Sequence, residues 1–519
     1  MAQGGTTPLP TEVPGFGPVR PFAGAHAAQG EARQATAKPR SGAGGGKVLP
    51  GLRAAIEACG LKDGATLSFH HHLRNGDGVL NAVLAEVAAM GLKGIRVAAS
   101  SIFPVHAPLV EHIRSGVVTG ITTSYVAGPV AEAIGAGALA TPAVLQTHGG
   151  RARAIACGDL RIDAAFVAAP ASDACGNING VDGRAACGTL GYPAADVRHA
   201  GRVVAVTDNL VPFPNCPIQI AQEGVDHVVS VESIGDPRQI ASGTTRPTTH
   251  PVGLRIAETA ARVVEASGLL ADGFSFQTGA GGVSLAVAAR LAEVMARNGV
   301  QGGFAAGGIT GMIVDMLEAG LFRTLLDVQC FDLRAVESFR RNPAHQEMSA
   351  SMYANPHERG AVVDQLDAMI LGAAEVDLDF NVNVATGTDG AIIGGSGGHS
   401  DTAAGAKLAL VTTRLAAGRY PKIVERVTTV TTPGETVDAV ATEAGVAVNP
   451  RRPDLRDRLA SAGVPVVSIE ELRGEAERSC AGGGGAPRAK GSKVVAVVEY
   501  RDGTVIDVVR EAPGRRGGD

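Results

Sequence analysis

A chain of 519 residues is long enough for two to four domains of roughly 150 residues each. With 45% hydrophobic and 19% charged residues it is globular, which excludes a wholly disordered chain. A net charge of −5, no Trp and only five Tyr argue against a nucleic-acid binder, which needs a basic surplus and aromatic platforms.

The first 46 residues are rich in Gly, Ala and Pro without sustained periodicity and predict an irregular arm lying on a partner or on the body of the protein. From Val48 onward, short apolar runs alternate with helical patterns, as in βα units with largely parallel sheets. The longest uncharged stretch, Ala133–Gly150, contains Gly, Pro, Gln and His and predicts no membrane span. The N-terminus has no basic-then-apolar signal pattern. Seven scattered Cys without C-x-x-C argue against a zinc cluster or a disulfide framework. The expectation is a soluble cytoplasmic α/β protein.

An internal repeat organises the chain. Gly60–Gly64 leads to a short strand ending Ser68-Phe69, a polar loop His70–Gly78, a helix Val79–Met90 and a strand Ile95–Ala99. About 207 residues later, Gly268–Gly273 leads to Ser275-Phe276, a Gly-rich loop Gln277–Gly282, a helix Val283–Asn298 and a strand Gly303–Ala306. A period this long means two homologous α/β domains, meeting near residue 248, with a ligand site shared between their strand–loop–helix junctions. The predicted division is an arm over 1–46, a first domain over 47–248 and a second over 249–519. Residues 479–492 read as a linker, and Arg501-Asp502-Gly503 closes a β-hairpin assigned to the second domain.

Several motifs carry chemistry and also admit a plain structural reading. The glycines of Gln277–Gly282 let backbone amides approach an oxyanion closely, without the full dinucleotide spacing. Gly394–Asp401 contains a literal G-x-S-x-G at Ser396, but no His follows His399 to serve as a hydrolase base, so an amide nest is favoured. His70, His71 and His72 suit polar pocket lining, loop hydrogen bonding or, less well, metal ligation, since nothing nearby completes a ligand set. Asn177 and Asn179 lie in an Asx- and Gly-dense segment that forms tight turns or holds a polar ligand. Arg151, Arg153, Arg246 and Lys407 are candidate cations for an anionic substrate or ordinary surface charges.

Ser68–Asp77, Ala98–Val110, Thr147–Arg153, Gly176–Asp182, Phe274–Gly282 and Gly394–Asp401 together resemble the α subunit of citrate lyase, a match over roughly residues 11–475 and the closing hairpin. The resemblance implies a coenzyme-A-transferase fold of two tandem α/β domains. It implies exchange of acetyl for citryl on the thiol of an acyl carrier protein, the γ subunit, with a separate β subunit cleaving citryl–carrier. The carrier would bear a phosphopantetheine-type arm, with acetyl-coenzyme A as substitute donor and no cofactor held covalently by this chain. Citrate is ionised at pH 7, so its carboxylate is itself the nucleophile. The expected oxyanion donors are the amides of Gly279, Gly281, Gly397 and Gly398. The expected substrate-binding residues are His70, His71, Arg74, Arg151, Gln277, Asn177, Asn179, Ser396 and His399. Related transferases carry the acyl group on a Glu just after the strand that here reads Phe304–Thr310 without a carboxylate, which points to direct transfer. Citramalate as acceptor, and a non-catalytic thioester or sugar-phosphate sensor, are the alternatives.

Overall fold

The computed structural model describes residues 9–27, 46–241, 246–279, 281–480 and 491–511. Most of the predicted arm, and residues 481–490 of the predicted linker, lie outside them. Two large, mostly parallel sheets dominate, one of ten strands and one of nine. Their central strands are apolar on both faces, as strands covered by helices on both sides must be; Ala164–Ala169 is buried at every position.

The duplication is visible strand for strand. In the first half the order is Ala143–Leu145, Val118–Thr123, Ile95–Ala99, Thr66–Phe69, Ala164–Ala169, Arg202–Thr207, His227–Ser230. In the second it is His345–Glu347, Phe322–Cys330, Gly302–Ile309, Ser275–Thr278, Ala368–Gly372, Leu408–Thr412, Ala439–Thr442. Each half also carries a three-stranded side sheet, Ala171–Asp173 with Ile178–Asn179 and Leu210–Val211, and Glu375–Asp377 with Val382–Asn383 and Ile423–Val424.

One assignment is corrected. The hairpin Val494–Glu499 and Val505–Arg510 turns at Gly503, with φ +80°, as predicted. It joins the first half, not the second, because Ala496–Val498 pairs in parallel with Ala143–Leu145. That strand would otherwise be an open edge. The described part of the arm lies on this hairpin: Phe22 N donates to Val505 O (2.8 Å) and Val505 N to Arg20 O (2.7 Å). One buried cluster spans both halves, taking in Leu190 and Tyr192 of the first and Val328, Met348 and Tyr353 of the second, while the second half also has apolar clusters of its own. No helix among the described residues is long and apolar enough to cross a membrane.

Candidate active site

The loop 394–398 of the second half is seated on strand ends of the first. Gly397, at φ +53°, donates its amide to Ser124 O (3.1 Å) and accepts from His148 N (2.8 Å). Thr147 caps the helix His148–Cys157 and also donates from Oγ1 to Asp401 (2.8 Å), whose other oxygen accepts from Gly149 N (2.9 Å). Burial pushes the Asp401 carboxyl up to about 6 against the pull of Arg501, 3.8 Å away. A Cβ at position 398 would lie 2.4 Å from the Tyr353 hydroxyl, so only glycine fits there.

Tyr353 links this turn to the other glycine loop. Its hydroxyl accepts from Gln277 Nε2 (2.8 Å), and Gln277 Oε1 is buried without a partner among the described residues. Gln277 precedes Gly279, whose amide donates to Ile370 O (3.0 Å) on the adjacent strand. That strand ends at Gly372, whose carbonyl meets His399 Nε2 (2.8 Å) beside Gly398. Both glycine turns therefore lie at the carboxyl ends of neighbouring strands and open toward the first half.

The first half supplies a ring-lined wall. His71 stacks on His148 (5.7 Å between ring centres) and meets Tyr192 at a tilt (4.4 Å), and its Nδ1 meets Ser100 Oγ at 2.5 Å. Burial, then the neighbouring His148, holds His71 well below its ordinary value, and burial with Arg151 takes His148 down to about 3. Both imidazoles are neutral at pH 7. Arg74 sits at φ +51°, with its guanidinium 4.4 Å from the Phe331 ring and 5.5 Å from that of Phe103. Gln329 of the second half donates to His71 O (2.7 Å), fixing this wall to the facing domain. His148 Nε2 would lie 3.4 Å from a Cβ at position 397, so a wall imidazole touches the glycine turn directly.

Of the sequence-predicted residues, His71, Arg74, Gln277 and Gly398 come together here, and Gly281 stands four residues beyond Gln277 at the start of the helix Gly282–Asn298. The others are accounted for elsewhere. His70, just past the strand Thr66–Phe69, bonds Asp196 (2.9 Å), which also holds the Arg151 guanidinium; one Arg151 nitrogen donates as well to Ser68 Oγ (2.6 Å) and Ala98 O, while its Nε has no partner among the described residues. Burial opposes it, yet Arg151 and His70 keep the Asp196 carboxyl below the usual range. His72 bonds Ala168 O (2.7 Å).

Asn177 is consumed by Asp173 and Gln222, and Asn179 by Asn215 and the turn at Asp182. The second half repeats this at the same spacing with Asp377, Asn381 and Asn383, so the motif builds a side sheet in each half. Ser396 pairs with Ser400 Oγ (2.8 Å) and not with an imidazole. His399, taken down to about 4 by burial, uses both ring nitrogens on Thr432 and Gly372. The Gly279 and Gly397 amides are likewise spent, which corrects their expected role as oxyanion donors. Those of Gly281 and Gly398 meet no acceptor among the described residues.

Sequence reading missed His148, Tyr192 and Tyr353. His148 follows a capping Thr at a helix start, a position open to reading; the two tyrosines carry no local signal. No carboxylate stands within Phe304–Thr310, and Glu375 is saturated by Asn383, Thr388 and both the amide and hydroxyl of Thr428.

The family model described as citrate lyase, alpha subunit, matches residues 45–512. The chain is 48% identical over 465 residues to the citrate lyase alpha chain of Klebsiella pneumoniae, covering 90% of this chain and 91% of that one. A crystal structure described as the alfa subunit of citrate lyase from Streptococcus mutans, in complex with citrate, superposes with a TM-score of 0.90 at 49% identity, covering 94% of this chain and 95% of that one. A Pseudomonas malonate decarboxylase hetero-tetramer shares the fold at a TM-score of 0.65 and 19% identity, covering 83% of this chain and 85% of its own.

Proposed function

The chain belongs to the citrate lyase alpha-subunit family and is its citrate CoA-transferase component, and from that premise we propose how the cleft exchanges acetyl for citryl. A citrate carboxylate oxygen attacks the carbonyl carbon of an acetyl thioester, the C–S bond breaks, and a mixed anhydride and a thiolate result. The thiolate attacks the citryl carbonyl of the anhydride, and acetate leaves. One thioester replaces another, so no external energy source enters. The Streptococcus relative holds citrate, which favours citrate over citramalate as acceptor here.

The observation that carries this reading is the seating of the 397–398 turn on Ser124 and His148, with Tyr353 bridging it to Gln277. Two glycine turns from one half thereby face the ring-lined wall of the other. Gly281 and Gly398 offer open amides to the oxyanion, each worth about 3–4 kcal/mol in such a role. Arg74 supplies the positive charge that two anions require, and holding both acyl partners together contributes about 7–11 kcal/mol. His71 and His148, neutral, donate or accept hydrogen bonds without adding charge. Glu375 is too fully bonded to serve as an acyl carrier, which supports direct transfer.

The donor thioester is carried by an acyl carrier partner with a phosphopantetheine-type arm, and a lyase partner consumes the product within a multi-subunit complex. All seven cysteines are free thiols, which suits the reducing cytoplasm. Incubating the purified chain with acetyl-coenzyme A and citrate, without other subunits, is expected to release acetate and form citryl thioester in equal amounts. Acetate without citryl thioester indicates hydrolysis, no turnover indicates a sensor, and an acyl-enzyme trapped by hydroxylamine or borohydride overturns direct transfer.

A further inference from the structure

A second polar cavity lies in the first half, outside the transfer cleft. It measures about 620 Å³ and is bounded by the sheet face around Ala98 and Thr122, the helix bearing Arg153, the arm at Phe16 and the hairpin at Gly503. Four guanidinium groups line it, from Arg20, Arg96, Arg153 and Arg161, against two acids, Asp159 and Glu499. Asp159 is bound to Arg153 (2.7 Å), and Glu499 accepts from Gln146 (2.8 Å). Arg96 and Arg161 have no acidic partner among the described residues.

Glycines make room for these cations. A Cβ at position 503 would lie 2.2 Å from one Arg153 nitrogen and 3.3 Å from one of Arg20, so two guanidinium groups converge on one bare backbone. A Cβ at position 120 would press on Arg96 Nε at 3.3 Å. Arg153 and Gln146 are each only 4% exposed, yet Arg153 Nε and Gln146 Oε1 have no hydrogen-bond partner among the described residues. A buried donor and acceptor left open cost free energy unless something completes them.

We propose that this cavity binds a phosphate ester of nucleotide size, its phosphate held by the arginines and its N–H or O–H groups by Gln146. Guanidinium forks match phosphate geometry, the volume is in the range of a small-molecule site and far exceeds one anion, and the lining includes the aromatic side chain of Phe16. The site does not depend on the transfer mechanism. It adjoins that chemistry, because Gln146 is followed by Thr147 and His148, which hold Asp401 and the Gly397 turn.

The test is calorimetric titration of the full chain with AMP while saturating citrate occupies the transfer cleft. One equivalent is expected to bind, more tightly than inorganic phosphate, and the R96Q/R161Q double variant is expected to bind about tenfold more weakly with unchanged melting temperature. No binding of AMP at millimolar concentration, equal affinity for AMP and inorganic phosphate, equal affinity in the double variant, or competition with citrate would each overturn it.

Discussion

A methyl group at position 398 collides with the Tyr353 hydroxyl, which in turn holds Gln277. Gly398→Ala is therefore expected to displace both side chains by a fraction of an ångström to an ångström, and to lower citryl-thioester formation about a hundredfold, as misplaced reacting groups do. Its melting temperature should fall by only a few degrees; a variant with full activity removes the turn from the chemistry. Single residues were the least legible level. Arg151 reads as a cation for an anionic substrate, yet its side chain leaves the helix toward a buried carboxylate. Asn177 reads as a ligand or a turn, and the two are identical in sequence because both need an amide that bonds backbone. A glycine announces that its amide can approach something, but not whether Ile370 or Ser124 already accepts from it.

Elements were read far better, because strands and helices are written in local pattern. Thr66–Phe69, Ile95–Ala99 and Gly282–Asn298 lie where period and loop chemistry put them. Pairing across the chain was not legible: nothing near Val494 says that its neighbour is Ala143. The docking of the 394–401 segment on the helix start at Thr147 rests on the Asp401 carboxylate, which receives a hydroxyl and an amide. Asp401→Ala leaves both donors buried and unpaired, at a cost of about 1–3 kcal/mol. Urea unfolding should show that loss together with a large fall in transfer, and Asp401→Asn, which keeps one acceptor, should fall between. Equal stability of all three proteins contradicts this docking role.

At the scale of the molecule, buried titratable groups set the response to acid. His72 and His399 are held at about 4 and His148 at about 3, with burial the main cause. The unfolded chain takes up their protons near the ordinary value of 6.5, so this stability is full above pH 6.5 and is lost as the pH falls toward the folded values. Asp377, Asp401 and Glu347, raised to about 6 chiefly by burial, act in the opposite sense: their contribution is present below pH 4 and is lost as the pH rises through 6. His148→Gln deletes one of the histidines. Its unfolding free energy, measured in urea at pH 7 and pH 5, is expected to drop less on acidification than that of the wild type, by on the order of 2 kcal/mol. An identical drop in both proteins contradicts a neutral imidazole at this position.

The hairpin that completes the first sheet also sets an order of events during synthesis. When residues 143–145 leave the ribosome their hydrogen-bonding edge has no partner, and it stays open until residues 494–498 are translated. The first half therefore cannot finish folding as an independent nascent unit. Chaperone dependence and proteolytic loss should concentrate in chains stalled before residue 494, which have completed the second half's nine strands but not the first half's ten.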